Sequence, residues 1–304
     1  MSFPGDGNAR VVAGHYNARP QVNRFQRQRS PIFHLKNFNN WVKSCLIRTY
    51  CKPGDNVLDF CCGKGGDLQK WDKSRIASLV GVDIADVSIQ HAQQRCAESP
   101  PQFRYRFIVK DAFKDELFAK DSDLGPFDLV SCQFSLHYSF ETEKQARQAM
   151  RNVSSRLREG GHFIGTIPNA YRLVKKLFET PDGAFGNSIY SVKFAQRYES
   201  EKSIPTFGAK YTFHLEDAID SCPEYLIPMN VLELIAREYG LELVYNKEFL
   251  NFYEEKHKES EPRHLLDRMK VVNSEGTMAE DEWRVADLYL AFAFVKRSAG
   301  SLAT

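Results

Sequence analysis

Short apolar runs and helical patterns alternate along most of this 304-residue chain, and this alternation limits the folds that it can adopt. Seven runs rich in apolar and β-branched residues are predicted to be strands, at 56–60, 78–84, 104–111, 127–136, 161–168, 241–249 and 287–296. Helices are predicted near 65–76, 86–98, 144–158, 170–180 and 230–239. Strands that alternate with helices favour βαβ units. The chain is therefore predicted to be an α/β protein with a mostly parallel seven-stranded sheet and helices on both faces.

Two segments interrupt this alternation. Residues 181–228 are rich in glycine, serine, proline and aromatic residues and are predicted to form a small β-rich insertion, whereas residues 250–284 are highly charged and partly helical. Insertions of this size in an α/β domain commonly carry substrate specificity. Residues 32–298 are accordingly predicted to form a single domain, followed by a short tail at 299–304.

The first 31 residues differ in composition from the rest of the chain. They contain few apolar residues and carry five arginines against one acid, Asp6: Arg10, Arg19, Arg24, Arg27 and Arg29. A segment with this composition buries too little apolar surface to fold alone, so it is predicted to be a flexible basic arm. Such an arm is either a solvated tail or a segment that contacts a polyanion, and the sequence leaves both open.

Charge and cysteine content exclude several classes of protein. The formal net charge is +2, so overall charge says little about partners. No apolar run approaches the roughly 18 residues of a membrane helix, and the N-terminus lacks the order of a secretory signal. The seven cysteines include no C-x-x-C pair, which argues against a zinc site or a disulfide framework. These features predict a soluble intracellular protein with no membrane partner and no metal.

A glycine-rich turn follows the first predicted strand, in the segment VLDFCCGKGGD at 57–67. Glycine lets the backbone pass close to a ligand, and open α/β sheets bind ligands at the carboxyl ends of their strands. The turn matches neither the dinucleotide pattern G-x-G-x-x-G nor the P-loop pattern. The turn is therefore predicted to bind a ligand other than a dinucleotide or a P-loop nucleotide.

Three acids stand at the ends of successive predicted strands, namely Asp59, Asp83 and Asp111. At its spacing, Asp83 can accept hydrogen bonds from both hydroxyls of an adenosine ribose. Asp111 can accept one from an adenine amine. Each acid alone could be a helix N-cap, but the three together resemble the class I methyltransferases over about residues 55–168. This resemblance implies a Rossmann-like fold and S-adenosylmethionine as the cofactor.

Further segments resemble the eukaryotic mRNA cap guanine-N7 methyltransferases. They are VAGHYN at 12–17, NFNNWVKS at 37–44, QFSLHYSFE at 133–141, CPEYL at 222–226, FLNFYEE at 249–255 and LYLAFAF at 288–294. The resemblance spans about residues 11–296, and the segments follow the order of the family. It implies an enzyme that transfers a methyl group from S-adenosylmethionine to N7 of the 5′-terminal guanosine of capped mRNA.

The resemblance also implies which residues bind the cofactor. Lys43 would hold the methionine carboxylate, an ammonium facing a carboxylate. The rest of the cofactor site would consist of Cys61, Asp83, Asp111 and Gln133. The family usually has glycine or alanine where Cys61 stands, and the thiol of Cys61 is modestly larger than either.

For the cap, the resemblance implies a guanine site, a phosphate site and two asparagines. These residues are Phe134, His137, Tyr138, Pro168, Glu224 and Tyr289 for guanine, Lys64 and Arg95 for the phosphates, and Asn39 and Asn40. An ionised carboxylate only accepts hydrogen bonds, so Glu224 can take both N1–H and the exocyclic amine of guanine and reject adenine. From spacing alone the aromatic residues could equally be core, His137 a structural histidine, and Lys64 and Arg95 solvated surface charges.

The chemistry of guanine N7 shapes the predicted mechanism. This nitrogen carries a free lone pair, so no general base is needed, and in-line alignment of the reacting atoms can suffice. No residue is therefore predicted to be catalytic. The family implies a nuclear monomer that works with the capping enzyme and the RNA polymerase II machinery. Two alternatives remain open, a class I methyltransferase for another substrate and a non-catalytic cap-binding module.

Overall fold

The structure is a computed structural model that describes residues 6–18, 24–118 and 123–298. In chain order its strands are β1 (Asn56–Phe60), β2 (Ser78–Asp83), β3 (Arg104–Val109), β4 (Phe127–Gln133), β5 (Leu157–Pro168), β6 (Ala184–Gly186), β7 (Tyr190–Phe194), β8 (Lys210–Leu215), β9 (Ile219–Tyr225), β10 (Leu241–Glu248) and β11 (Tyr289–Lys296). Its helices are α1 (Asp6–Ala18), α2 (Arg24–Gln28), α3 (Phe33–Tyr50), α4 (Leu68–Lys73), α5 (Asp86–Glu98), α6 (Glu143–Ser155), α7 (Ala170–Glu179), α8 (Met229–Glu238), α9 (Phe249–Lys256), α10 (Ser260–Arg268) and α11 (Glu280–Ala286).

Seven strands form the main sheet, in the order β3-β2-β1-β4-β5-β11-β10. All neighbours from β3 to β5 are parallel, and β11 is antiparallel to β5 and to β10. The strand order reverses at β1, which lies between β2 and β4. Open α/β sheets bind their ligands at such a switch point. The predicted fold class, including the mostly parallel sheet, is confirmed.

The two faces of the main sheet bury two separate hydrophobic cores. Successive residues of one strand point to opposite faces, so Val57 and Leu129 enter one core while Leu58 and Val130 enter the other. Helix α3 packs on the first face, and α6 and α8 pack on the second. Both faces are covered, which explains why these strands read as continuous apolar runs.

Strand and helix limits differ from the predicted ones where the backbone turns sharply. Strand β4 ends at Gln133 instead of 136, because Phe134 has a φ of 57° that no strand can accommodate. A short 3-10 helix, Leu136–Glu141, follows it. Helix α4 begins at Leu68 instead of 65, because Gly63 and Gly65 also have positive φ and the chain is still turning there.

The two insertions take different positions relative to the main sheet. The first forms an antiparallel sheet with the order β6-β7-β8-β9, as the β-rich composition predicts. The second supplies α9 to α11, which pack around α3. There Trp41 donates to the Pro262 carbonyl at 2.8 Å, and the Leu35 amide donates to the Glu282 carboxylate at 2.8 Å.

The N-terminal segment contains ordered helices where the sequence predicts a flexible arm. Helix α1 lies against β9 and α5. Its Val12 is buried, and Asn8 donates to the Glu141 carboxylate at 2.6 Å and to the Tyr225 hydroxyl at 2.5 Å. The segment has few apolar residues, and polar contacts to the rest of the domain help to hold α1 in place.

Part of the N-terminal segment lies outside the residues that the structure describes. Arg19, the side chains of Arg10 and Arg24, and the predicted tail at 299–304 lie outside the described residues. The prediction of a polyanion-contacting arm therefore stays a prediction. Within the described ranges, no helix has the length and apolar character needed to cross a membrane.

Candidate active site

A cavity of about 370 Å³ opens at the carboxyl ends of β1, β2 and β4, at the switch point of the sheet. Its volume lies in the range of cofactor sites. Its walls come from the turn after β1, the ends of the neighbouring strands, the 3-10 helix, β9 and α1. Nine of the predicted site residues line it: Lys43, Cys61, Lys64, Asp83, Arg95, Asp111, Gln133, Phe134 and Tyr138.

The glycine-rich turn presents bare backbone to this cavity. Gly63 and Gly66 line it, and a Cβ added at either would meet no atom within 4 Å. At Gly65, by contrast, an added Cβ would lie 2.6 Å from Leu68 Cδ1, so this glycine lets the turn pack on α4. The turn therefore leaves space for a ligand at two positions and closes tightly on its own helix at the third.

Cys61 occupies a position whose backbone favours glycine. Its φ is 64°, in the left-handed region that non-glycine residues rarely adopt. The side chain lines the cavity beside Cys132. A hydrogen bond with the Cys132 thiol, together with burial, raises the pKa of Cys61. This position therefore adds a neutral thiol to the wall and no charge.

Asp83 and Asp111, the two acids predicted to bind the nucleoside, both line the cavity. Asp83 is buried and accepts hydrogen bonds from the Gly63 amide at 2.8 Å and the Ala85 amide at 2.9 Å. A carboxylate has about four acceptor sites, so two remain for the ribose hydroxyls. Asp111 accepts from the Phe113 amide at 3.0 Å. Burial raises the pKa of both acids, and the backbone N–H groups counteract that rise.

The opposite end of the cavity holds a cluster of paired charges. Lys43 Nζ lies 2.8 Å from Asp67 Oδ1, and Lys70 Nζ lies 2.6 Å from the same oxygen. Burial opposes ionisation of Asp67, but the two ammonium groups hold its pKa well below the ordinary value. Burial lowers the pKa of Lys70 to about 8. Asp67 thus fixes Lys43 at the cavity wall, where its other N–H donors can meet a carboxylate.

Gln133 completes the wall between the two ends. Its Nε2 donates to Ser131 Oγ at 3.0 Å, and its Oε1 accepts from Thr166 Oγ1 at 3.1 Å. Together, the bare glycine turn, the ribose acid and the lysine fit S-adenosylmethionine, whose carboxylate, ribose and adenine need these groups. The residues predicted to bind the cofactor are thus brought together in one cavity.

Asp59 also lines this cavity, and burial together with the nearby Asp67 carboxylate raises its pKa to about 7. Between about pH 4 and 7 the folded protein therefore keeps a proton that the unfolded chain has lost, so stability falls as the pH rises. We expect Asp59→Asn to raise the free energy of unfolding at pH 8 by roughly 2–4 kcal/mol and to change it little at pH 4. Denaturant titrations at both pH values measure this. The exposed Asp220→Asn is the control, and a gain at pH 8 that persists at pH 4 contradicts the assignment.

Glu224 lies beyond the cavity wall in a buried polar cluster. It is 2% exposed, and its Oε2 accepts from the Tyr211 hydroxyl at 2.7 Å. Its Oε1 lies 3.4 Å from His137 Nε2, and the His137 and Tyr138 rings are 4.2 Å apart. Burial and the Glu224 carboxylate raise the pKa of Tyr211, so the phenol stays a donor. This arrangement holds one acid of β9 behind the aromatic residues of the 3-10 helix.

Phe134 and Tyr289 extend the same aromatic cluster. Their ring centroids are 5.3 Å apart with the planes near perpendicular, and Phe249 lies 5.7 Å from Tyr289. Pro168 is paired with Tyr289 across β5 and β11. The structure therefore brings the six predicted guanine residues into one cluster that adjoins the cavity. Only Phe134 and Tyr138 lie on its surface.

The other predicted cap residues fall into two groups. Lys64 and Arg95 both line the cavity and bring positive charge to it. Asn39 and Asn40 do not line it. Asn40 accepts from Lys70 at 2.8 Å, whereas Asn39 Oδ1 is buried and has no hydrogen-bond partner among the described residues.

Sequence reasoning assigned no role to three residues that shape the site. Asp67 and Lys70 lie three positions apart after the glycine turn, a spacing that could have indicated an ion pair. Tyr16 lies in the VAGHYN segment, and its hydroxyl is 3.3 Å from the Tyr138 hydroxyl. No local signal linked Tyr16 to the cavity, because the contact joins residues that are far apart in the chain.

The strand order, the antiparallel β11 and a cavity with acids at the ends of β1 and β2 define a class I S-adenosylmethionine-dependent methyltransferase. Solved structures share this fold. A S-adenosylmethionine-dependent methyltransferase from Clostridium acetobutylicum matches with a TM-score of 0.51 and 14% identity, over 86% of this chain and 92% of its own. The methyltransferase CcbJ from Streptomyces caelestis matches with a TM-score of 0.53 and 13% identity, over 94% and 96%.

Sequence comparison is more specific. The family model of the mRNA (guanine-N(7))-methyltransferase domain matches residues 4–297. The chain is 46% identical to mRNA cap guanine-N(7) methyltransferase 1 of Oryza sativa, over 95% of this chain and 82% of the relative. It is 43% identical to the mRNA cap guanine-N(7) methyltransferase of Schizosaccharomyces pombe, over 96% and 84%. The chain belongs to the mRNA (guanine-N7)-methyltransferase family, which confirms the predicted family, enzyme class and cofactor.

Proposed function

We propose that the protein transfers the methyl group of S-adenosylmethionine to N7 of the 5′-terminal guanosine of capped mRNA. The observation that carries this proposal is a juxtaposition. A cavity that fits the cofactor lies beside a buried carboxylate, Glu224, that is surrounded by aromatic residues. A class I methyltransferase for another substrate would explain the cavity but not the buried acid and its aromatic surroundings.

Lys43, Asp83 and Asp111 would hold the cofactor at its carboxylate, ribose and adenine. When bound, the cofactor supplies a methyl group activated by its sulfonium. Asp67 is a positioning residue here, since it holds Lys43 through two contacts of 2.8 and 2.9 Å. Gln133 is fixed by Ser131 and Thr166, so the wall between the two ends of the cofactor does not have to reorganise.

Glu224 would recognise guanine through its two adjacent donors, N1–H and the exocyclic amine. Tyr211 donates to the carboxylate at 2.7 Å, and His137 Nε2 lies 3.4 Å from it. Phe134, Tyr138 and Tyr289 supply aromatic faces for the purine, and base stacking on such faces contributes about 1–3 kcal/mol per base. Methylation places positive charge on the purine, so the nearby carboxylate also favours the product.

Proton transfer has no role in this mechanism, because N7 already carries a free lone pair. The residues then act by alignment, which can supply about 7–11 kcal/mol of the barrier. Lys64 and Arg95, which line the cavity, would hold the cap phosphates. Asn39 and Asn40 complete the proposed substrate-binding residues, and both lie outside the cavity lining, with Asn40 held by Lys70.

In the cell we propose that the protein acts in the nucleus as a monomer, on 5′-capped RNA supplied by the capping enzyme and the RNA polymerase II machinery. The support for this is the family, whose members are named for a step of mRNA processing.

Methyl transfer to capped RNA tests the proposed function. We expect RNA capped with GpppG to accept label from S-adenosylmethionine, and nuclease release to yield 7-methylguanosine in the cap. RNA capped with an adenosine should be methylated about 10⁴-fold less well, because adenine offers no donor at N1. Equal labelling of both caps, or label outside the cap, would show that the protein is a class I methyltransferase for another substrate. Binding of the guanosine cap without transfer would indicate a non-catalytic cap-binding module.

A further inference from the structure

A tyrosine from helix α1 lies in the cavity wall beside the buried cluster that contains Glu224. Tyr16 lines the cavity, whereas Glu224, His137 and Tyr289 do not. Because Glu224 is almost fully buried, a base in the cavity cannot contact it in this arrangement. Some part of the wall between them must therefore move before the carboxylate can recognise a purine.

The Tyr16 phenol touches the guanine site on one side and approaches the cofactor site on the other. Its hydroxyl lies 3.3 Å from the Tyr138 hydroxyl, which in turn lies 3.6 Å from Cys222 Sγ. Burial raises the pKa of Tyr16, and the nearby Glu224 and Asp83 carboxylates add to that rise. The Tyr16 ring thus lies in the cavity wall, close to both carboxylates and in contact with Tyr138.

Helix α1 is held differently from the other elements of this wall. Tyr138 belongs to the 3-10 helix that continues from β4, and Pro223 belongs to β9, which is paired along its length with β8. Helix α1 belongs to neither sheet. Polar side-chain contacts hold it near its two ends, at Asn8 and at Asn17, which donates to Asp86 at 2.8 Å. It can therefore shift without breaking a strand pair.

We propose that Tyr16 is a gating residue of the guanine site: its phenol takes the place that the purine takes when the cap binds, and α1 moves with it. This inference rests on the proposed function, because it concerns access of the cap guanine to Glu224. The N-terminal segment would then control entry of the substrate. This role differs from the predicted contact of the basic arm with a polyanion.

The association rate of a cap dinucleotide tests the gate. Stopped-flow binding of GpppG, with S-adenosylhomocysteine present, is compared for the wild type, Tyr16→Ala and Tyr16→Phe. We expect Tyr16→Ala to associate roughly tenfold faster, since a conformational step that limits association is removed. Tyr16→Phe keeps the ring and should associate like the wild type. Val11→Ala is the matched control, because Val11 lies on the same helix and is 54% exposed.

Slower association of Tyr16→Ala, or faster dissociation at an unchanged association rate, would overturn the gate. Either result would make Tyr16 a wall that holds the base.

A second measurement needs no cap. Cys222 lies behind Tyr138 and is buried, so its alkylation by iodoacetamide reports opening of this wall. We expect faster labelling of Cys222 in Tyr16→Ala than in the wild type or Val11→Ala, followed by peptide mass spectrometry. Equal labelling in all three would overturn the gate. If the wild type does not bind GpppG, the proposed function fails and the gate for guanine fails with it, whereas GpppG binding with equal Cys222 labelling overturns the gate alone.

Discussion

Replacing Glu224 with glutamine is expected to lower kcat/KM for methyl transfer to capped RNA by about 10²–10⁴-fold. The glutamine amide would place a donor where guanine also presents donors, and each hydrogen bond to a charged group contributes about 1.5–3 kcal/mol. Tyr211 and His137 would still surround a side chain of the same size, so the fold should persist. Methylation of GpppG-capped RNA gives kcat/KM, and calorimetry with S-adenosylhomocysteine gives the cofactor affinity.

The cofactor affinity decides how the Glu224→Gln result is interpreted. It should stay within about twofold of the wild type, because Glu224 does not line the cofactor cavity. Glu216→Gln is the matched control, since Glu216 lies just beyond β8 of the same small sheet and is exposed. A parallel loss of cofactor binding and turnover in Glu224→Gln would show that the acid supports the fold instead of recognising guanine.

In contrast to Glu224→Gln, replacing Asp83 with asparagine should lower the cofactor affinity. We expect S-adenosylhomocysteine to bind more weakly, by about 100-fold or more. Two hydrogen bonds from ribose hydroxyls to a charged acceptor would be lost or weakened, at about 1.5–3 kcal/mol each. The new amide would also face a backbone N–H, because both Gly63 and Ala85 donate to this carboxylate. Isothermal titration calorimetry measures the dissociation constant.

Controls for Asp83→Asn must separate binding from folding. Glu98→Gln, an exposed acid at the end of α5, should bind like the wild type. A thermal melt of Asp83→Asn establishes that it folds, and GpppG binding to the folded variant should be largely retained. Unchanged affinity for S-adenosylhomocysteine in folded Asp83→Asn would exclude Asp83 as the ribose acid.

The main sheet could be predicted because its signals are local. Apolar runs buried on both faces and intervening helical patterns identify β1 to β5, β10 and β11 within a few residues. The ends were less predictable where one backbone angle decides them. At Phe134 a positive φ ends β4 early, and a phenylalanine in the sequence does not predict that conformation.

The N-terminal segment makes tertiary contacts that its composition does not predict. Its basic, apolar-poor sequence predicts an arm, yet α1 is ordered and forms part of the cavity wall through Asn8, Val12 and Tyr16. Asn8 contacts Glu141 and Tyr225, which lie 133 and 217 positions away in the chain. Composition indicates how much apolar surface a segment can bury by itself. It does not indicate which hydrogen-bond partners distant parts of the chain will place beside that segment.

The sequence by itself determined the fold class, and it predicted Asp83 and Asp111 as cofactor acids, because they lie at or just after the ends of β2 and β3 and parallel strands bring such ends to one edge. Motif resemblance also identified Glu224. Only the tertiary structure decided that Tyr16 lines the cavity, in contact with Tyr138, and that Glu224 does not line it. The physical reason is distance along the chain, because α1, the 3-10 helix and β9 are three separate segments that pack together. Local sequence periodicity does not predict which of their side chains come into contact.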